Sequence, residues 1–180
     1  MTIKIGLILG LLIETAAFAN SDCPNTVLNI DESENFATIT VFFDNFSTDS
    51  DLKRCDFTFQ IDVPNGKRMG VYKIDYRGFA ILPKFGKGYI NVSYDFANSK
   101  GPDFHKQIVG PVADNFFFTD VIGAGVFRGS RCGGKETLNM TAKLSVDTRS
   151  SADQGFIAMD SGDGNSKAGV AYHFKLKSCR

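Results

Sequence analysis

Two histidines, His105 and His173, have side chains able to take part in nucleophilic catalysis. A Ser–His–Asp triad needs a histidine that a carboxylate orients next to an activated nucleophile. Neither histidine stands near a nucleophile-elbow motif. His105, with Asp103 in the same loop, is the better candidate, and His173 is predicted on the outward face of the last strand. Both are therefore interpreted as surface histidines, and no catalytic residue is assigned.

Carboxylates are the second group with possible chemistry. A pair of them can hydrolyse a glycosidic bond, and a sheet can bring such a pair together without any sequence signature. The chain has no tryptophan, which weakens the prediction of a sugar-stacking groove. Four tyrosines could replace tryptophan there, although packing in the core is their more common role: Tyr72, Tyr76, Tyr89 and Tyr94.

The four cysteines are Cys23, Cys55, Cys132 and Cys179. An even number of cysteines behind a secretory signal indicates two disulfides. No C-x-x-C spacing occurs and the two histidines are isolated, so the pattern does not indicate zinc, and no metal site is assigned. Three connectivities remain open, of which we favour Cys23–Cys55 with Cys132–Cys179.

The loop around Asp160, Asp163 and Asn165 carries oxygen ligands of the kind that Ca²⁺ prefers. It lacks the twelve-residue spacing and the bidentate glutamate of a calcium loop. Asp-Gly between two strands is also a hairpin signal. We therefore predict a turn.

The N-terminus predicts export. Lys4 precedes an apolar run from Ile5 to Ile13, and Ala17-Phe18-Ala19 is a small-x-small cleavage site. This pattern is typical of a signal peptide, and the run is shorter than the roughly 20 residues that a membrane span needs. We predict residues 1–19 as the signal peptide and residues 20–180 as one secreted domain, extracellular or periplasmic.

The charges are balanced, with 20 Lys and Arg against 20 Asp and Glu. No basic surplus indicates a nucleic-acid partner. No second apolar segment is long enough to span a membrane after signal cleavage. No cofactor motif is present either, so neither a cofactor nor a nucleic-acid partner is predicted.

The central strand is predicted over residues 69–82. Its alternating apolar side chains indicate one buried face: Tyr72, Ile74, Tyr76, Ala80 and Leu82. Lys73, Asp75 and Arg77 share the wet face. Such exposed charges commonly form a ladder of little energetic importance. The alternative is that these three residues form a ligand surface, and we keep them as the candidate site.

About nine such segments follow one another, and no amphipathic helix does. We predict an all-β fold, an antiparallel β-sandwich (jelly-roll-like) of about nine strands with two disulfides. Gly78 predicts a β-bulge that would turn Phe79 and Ile81 to the other face. The three phenylalanines 116–118 are apolar on both faces, which predicts a strand covered on both sides or an interface.

An ordered set of short motifs runs along the predicted mature chain: Cys23-Pro24, Cys55, Ile74-Asp75-Tyr76-Arg77-Gly78, Gly110-Pro111, Cys132-Gly133-Gly134, Asp160-Ser161-Gly162-Asp163-Gly164 and Cys179. This set resembles the secreted family of fungi and bacteria known as domain of unknown function 4360. The resemblance implies secretion and an all-β domain, and it implies no activity. Lys175-Leu176-Lys177 departs from the family pattern, where an aromatic residue is expected.

We therefore predict a secreted, non-catalytic binding or interaction domain with an unknown extracellular partner on a cell surface or a polysaccharide. One alternative is a carbohydrate-active hydrolase or lyase that uses dispersed carboxylates. Another is a structural or membrane-contacting component with the phenylalanines 116–118 as its apolar face.

Overall fold

The computed structural model describes residues 13–18, 27–43, 45–49, 52–122, 129–149, 153–159 and 169–179. Within these ranges every regular element is a β-strand and there is no helix, which confirms the all-β prediction. The described residues form thirteen strands rather than about nine. The number of strands is larger than predicted mainly because short segments such as β4, β8 and β12 also pair with neighbouring strands.

The strands, in chain order, are β1 (Ile13–Phe18), β2 (Val27–Ser33), β3 (Phe36–Phe42), β4 (Ser47–Thr48), β5 (Lys53–Val63), β6 (Lys67–Leu82), β7 (Lys87–Phe96), β8 (Ser99–Lys100), β9 (Phe104–Val109), β10 (Val112–Val121), β11 (Gly134–Asp147), β12 (Phe156–Ala158) and β13 (Gly169–Ser178). Tight turns set several of these ends. Gly66 has φ +74° between β5 and β6, a conformation that glycine adopts without steric cost.

The strands form two sheets in which all the pairs are antiparallel. Sheet A has the order β1-β5-β11-β7, and both β8 and β9 pair with β7. Sheet B has the order β2-β3-β13-β6; β10 pairs along the free side of β6, and β12 and β4 complete the sheet. The last strand therefore lies between β3 and β6, which brings residues far apart in sequence onto one face.

Alternate side chains of both sheets enter one hydrophobic core. Rings of sheet A meet rings of sheet B there: Tyr94 lies 5.7 Å from Tyr172, and Phe96 lies 5.3 Å from Phe174, between ring centroids. Edge-on geometry of this kind is favourable for aromatic pairs. Each fully buried large apolar side chain contributes about 1.5–3 kcal/mol, so these rings are a main source of stability.

The alternation of buried and exposed side chains along β6 shifts by one residue at Tyr72. Its register with β13 shifts between Val71 and Lys73, so one extra residue of β6 lies there. Val71 and Ile74 are consequently both buried, and Tyr72 contacts Phe36 on the outer face. The prediction that Tyr72 shares the buried face is therefore wrong, because the bulge falls six residues before the glycine that was expected to cause it.

Gly78 does not form a bulge. β10 pairs with β6 without interruption from residue 73 to residue 82, and Ile81 stays on the outer face, 45% exposed. A Cβ atom on Gly78 would clash with the Phe116 ring and with the carbonyl oxygen of Ala158. The glycine is required because the aromatic ring of β10 and the backbone of β12 both approach β6 closely at this point.

The three consecutive phenylalanines do not act as one patch. Phe116 is buried, Phe118 is half-buried, and the ring of Phe117 is 56% exposed on the outer face of sheet B. Phe116 and Phe118 stack on each other at 5.5 Å, as expected for alternate residues of one strand. The prediction of a strand covered on both sides is therefore wrong for Phe117.

One disulfide lies within the described residues. Cys132 and Cys179 are bonded, with 6.0 Å between their Cα atoms, which confirms that pair. Cys55 is buried and disulfide-bonded as well. Its predicted partner Cys23 lies outside the described residues, so the Cys23–Cys55 pair stays a prediction.

Other predictions fall wholly or partly outside the described residues. The loop from Asp160 to Asn165 is not described, so the choice between a turn and a calcium site stays open. β1 lies inside the predicted signal peptide and pairs with residues 57–61 of β5. Cleavage after Ala19 would remove β1 and expose that edge of β5. The signal peptide and the domain over residues 20–180 stay predictions.

Candidate functional site

The outer face of sheet B contains a recess of about 300 Å³. Four adjacent strands, β2, β3, β13 and β6, contribute alternate side chains to it. The lining residues are Asn29, Asp31, Thr38, Thr40, Phe42, Asp75, Arg77, Gly169, Ala171 and His173. We call this surface the Asp75 face.

Small residues of β13 create the recess. Ala171 is paired with Thr40 on one side and with Asp75 on the other, and Gly169 is paired with Arg77. A methyl group and a hydrogen atom are much shorter than the side chains on either side of them. The middle of the face is therefore lower than its flanks, and the polar groups of β3 and β6 line the depression.

Asp75 is the centre of a hydrogen-bond network. It is only 4% exposed, although it lies on the outer side of the sheet. Its Oδ2 atom accepts from Lys73 Nζ at 2.9 Å and lies 2.8 Å from His173 Nε2, and its Oδ1 atom accepts from Thr119 at 2.8 Å. The carboxylate is therefore fixed by groups from three strands.

The protonation of this network follows from its donors. Burial by itself would raise the pKa of Asp75, but the hydrogen bonds from Lys73, Thr119 and His173 outweigh burial and hold the pKa below its usual value. Because Asp75 accepts, Nε2 of His173 carries a hydrogen. In the neutral imidazole Nδ1 then accepts from the Thr38 hydroxyl, 3.1 Å away.

Aromatic rings border the Asp75 face. The guanidinium of Arg77 lies 5.0 Å from the centre of the Phe117 ring, a cation–π contact that leaves its N–H donors at the surface. At the other end Tyr72 lies 6.2 Å from the His173 ring and 6.0 Å from Phe36, between centroids. A few fixed polar groups beside aromatic side chains are common in small-molecule sites.

Thr38, His173 and Asp75 lie in the order of a hydroxyl–imidazole–carboxylate triad, but among the described residues the backbone around Thr38 is already used in strand pairing. Acyl transfer also needs N–H donors aimed at the developing oxyanion. Thr38 lies within β3, between β2 and β13, where backbone groups are used in the two ladders. The arrangement therefore supports orientation of the imidazole rather than nucleophilic attack.

The carboxylates of this face do not suit glycoside hydrolysis. Asp31 and Asp75 stand on strands three positions apart, which separates their backbones by about 14 Å. Hydrolysis of glycosides needs two carboxyl groups about 5–10 Å apart, one of them with a raised pKa. The pKa of Asp75 is lowered instead. Asp31 and Asp75 therefore lack the geometry of a hydrolytic pair.

The three residues predicted as a ligand surface do share one face. Lys73 and Asp75 form a salt bridge. Arg77 is the next residue of β6 on the same side of the sheet. The role of His173 was missed. It was interpreted as a surface histidine, yet its side chain is only 18% exposed and forms a hydrogen bond with Asp75. No local signal could reveal this, because residues 75 and 173 meet only through the β6–β13 register.

The other sequence candidates lie elsewhere. His105 is exposed and its Nδ1 atom is 2.6 Å from the Asn91 side chain, whereas Asp103 is paired with Lys100 at 3.1 Å. His105 is thus oriented by an amide, which does not suit a triad. Burial raises the pKa values of the hydroxyl groups of Tyr76 and Tyr94, as expected for tyrosines packed in the core.

The ranges that the structure describes contain no group of three or more His, Cys, Asp or Glu side chains positioned to hold a metal ion. In the same ranges no helix is both long enough and apolar enough to cross a membrane.

A comparison with solved structures aligns this chain with two carbohydrate-binding modules over most of its length. One is the carbohydrate-binding module TmCBM61 in complex with β-1,4-galactotriose, with 12% identity over 86% of this chain and 88% of that chain, and a TM-score of 0.28. The other is the family 11 carbohydrate-binding module of Clostridium thermocellum in complex with a β-1,3-1,4-mixed-linked tetrasaccharide, with 10% identity over 87% and 92% and a TM-score of 0.19. These TM-scores are too low to carry an argument about fold or ligand.

Sequence comparison is more informative. An uncharacterized secreted protein of Arthroderma benhamiae is 22% identical over 171 residues, which cover 90% of this chain and 69% of the relative. This relative confirms the prediction that the chain is secreted. The model of the family described as domain of unknown function 4360 matches residues 10–179. The chain belongs to this family.

Proposed function

We propose that this secreted protein is a non-catalytic binding domain, and that its ligand is a polysaccharide or a cell-surface glycan held on the Asp75 face. The main support for this proposal is the hydrogen-bond network around Asp75. A carboxylate that is almost completely buried, yet lies on the outer side of a sheet, is held in one orientation by Lys73, Thr119 and His173. Pre-organised polar groups of this kind lose little conformational entropy when a ligand binds.

The shape of the protein supports the same proposal. We infer that the two sheets form a sandwich, because the rings of Tyr94 and Phe96 in sheet A contact Tyr172 and Phe174 in sheet B. In a sandwich each outer face is a rigid surface on which side chains stand at regular intervals. The ligand would then lie across strands, along the recess that Ala171 leaves open.

The environment of the recess fits a hydroxyl-rich ligand. Asn29, Asp31 and Thr40 line the recess and supply both donors and acceptors. Phe42 and Phe117 offer apolar surface nearby, against which the carbon–hydrogen face of a sugar ring can pack. A flat apolar ligand would leave the polar groups unpaired, which disfavours it.

A binding assay with purified cell-wall and soluble polysaccharides tests this proposal. The variant Arg77→Gln removes the exposed guanidinium from the recess, and we expect about tenfold weaker binding for a lost charge-assisted hydrogen bond. Arg149→Gln is the matched control, because that arginine is also exposed and is paired with Asp147 away from the recess. The proposal fails if no polysaccharide binds, or if the two variants bind alike.

A reducing-sugar assay on the same preparations distinguishes the hydrolase alternative. We expect no release of sugar from any polysaccharide that binds. Release that Asp31→Asn abolishes, without loss of folding, would contradict a purely non-catalytic domain.

A further inference from the structure

The recess of the Asp75 face continues across sheet B as a groove that crosses the strands. Arg77 of β6 is paired with Gly169 of β13 on one side and with Phe117 of β10 on the other. Gly169 in turn lies against the backbone of Phe42, at the end of β3. The order across the sheet is therefore Phe42, Gly169, Arg77 and Phe117. We call these four residues the cross-strand groove.

The floor of the cross-strand groove is low because residue 169 cannot carry a side chain. A Cβ atom on Gly169 would clash with the carbonyl oxygen of Val41, since β3 and β13 approach closely there. Ala171, the next outward residue of β13, continues the floor between Thr40 and Asp75. A ligand can therefore lie close to the backbone of β13, between the longer side chains of β3 and β6.

An aromatic ring stands at each end of the groove. Phe42 is half-buried and lines the recess, and Phe117 is largely exposed on the same outer face. The contact between the Arg77 guanidinium and the Phe117 ring holds these two side chains together. Because β3 and β10 are three positions apart in the sheet, the backbones of Phe42 and Phe117 are separated by about 14 Å, which is room for about three pyranose rings.

The groove reaches an edge of the sheet at both ends. Among the strands that the structure describes, β2 is the edge of sheet B beyond β3, and β10 is the edge beyond β6. A long chain that lies in the groove can therefore continue past Phe42 and past Phe117. Such a shape suits the interior of a polymer rather than its end.

The charges that border the groove balance one another. Asp31 of β2 and Arg77 of β6 are both exposed and of opposite sign. The carboxylate of Asp75 forms its salt bridge with Lys73, at 2.9 Å. The groove thus offers no surplus of positive charge to a polyanion, and it favours a neutral ligand.

We propose that the cross-strand groove binds an internal segment of a linear, neutral polysaccharide, about three sugar units long, with the two outer rings stacked on Phe42 and Phe117. A pyranose with equatorial hydroxyl groups presents C–H bonds on its faces and hydroxyl groups along its edges. The faces then pack on the two aromatic rings, and the edges meet the Arg77 guanidinium and the Thr40 hydroxyl. The groove is part of the Asp75 face, so this proposal rests on the proposed function and adds the class of ligand.

The test compares ring variants on oligosaccharides of increasing length. The probes are fragments of one to six sugar units from β-1,4-glucan, β-1,3-glucan, β-1,4-mannan and chitin, with polygalacturonate as an acidic chain, and binding is measured by calorimetry. Phe42→Ala and Phe117→Ala each remove one end of the groove. Phe85→Ala is the matched control, because Phe85 is 61% exposed on the β6–β7 turn and its ring also contacts a cation, Lys84 at 5.1 Å.

For at least one of the neutral series we expect the affinity to rise at least tenfold between one unit and about three, and then to stay level. Each ring variant should bind the longer fragments about tenfold more weakly than the wild type and the control do. Reduction of the terminal sugar of the longest fragment to its alditol should leave its binding unchanged, because the groove holds interior rings. Phe42→Leu and Phe117→Leu keep apolar volume without a flat ring, so they replace an alanine variant whose melting temperature shows a damaged fold.

Three results would overturn the proposal and leave the proposed function standing, provided that Arg77→Gln still weakens the binding of a polysaccharide. They are equal affinity for one sugar unit and for the longest fragment, binding by the folded Phe42 and Phe117 variants that equals that of Phe85→Ala, and tighter binding of polygalacturonate than of every neutral series. If no polysaccharide binds at all, the proposed function fails, and this proposal fails with it.

Discussion

Replacing Asp75 by asparagine tests whether the network on the outer face of sheet B contributes to stability. The asparagine has nearly the same shape, but its amide group places a donor or a weaker acceptor where Lys73, His173 and Thr119 now donate. A hydrogen bond to a charged group contributes about 1.5–3 kcal/mol. Lys73 is about one-third exposed, so water can hydrate its ammonium group in the variant, which reduces the loss of stability. We expect the free energy of unfolding to fall by about 2–3 kcal/mol.

The effect should be visible as a melting temperature lowered by about 4–12 °C at pH 7, at about 2–4 °C per kcal/mol for a domain of this size. Asp95→Asn is the control, because Asp95 is exposed on the outer face of sheet A. We expect that variant to change stability by less than about 0.5 kcal/mol.

The pH dependence gives a second and independent measurement. The pKa of Asp75 is lowered in the folded protein, so its contribution is complete above the unfolded-state value of about 4. The contribution is lost as the pH falls through the lower folded-state pKa. The difference between the wild type and Asp75→Asn should therefore shrink below about pH 4. A difference that stays constant down to pH 2, or no difference from Asp95→Asn at pH 7, would refute this account.

Further predictions concern the core, the disulfide and export. Gly78→Ala should lower the free energy of unfolding by about 1–3 kcal/mol in denaturant titrations, because the new methyl group meets the Phe116 ring; an unchanged midpoint would contradict the close approach. Cys132→Ser with Cys179→Ser should cost about 4 kcal/mol, since the disulfide spans 47 residues; an equal stability of the wild type under reducing and oxidising conditions would argue against this. Mass spectrometry of the exported protein should find an N-terminus at Asn20 and no alkylatable thiol before reduction, and a mature chain that retains residues 13–18 would disprove the cleavage.

Alternation of apolar and polar residues was enough to predict the strands. β5, β7 and β11 each bury every second residue over ten or more positions, because a side-chain period of two follows directly from the pleated backbone. The predictions for β6 were wrong where contacts with other strands determine which of its side chains face the core. The bulge at Tyr72 comes from its pairing with β13, and Gly78 is required by a ring and a carbonyl group of other strands.

The sequence by itself determined the β class and the chemistry of the wet face of the central strand, and it left three cysteine connectivities open. These are properties of local periodicity and of residue type. Only the tertiary structure decided which distant residues share a site: the β13 register brought His173 to Asp75, and it placed Gly169 opposite Arg77. Such contacts join residues about a hundred positions apart, and no local pattern records them, because the free energy that selects the register belongs to whole strands and to the core beneath them.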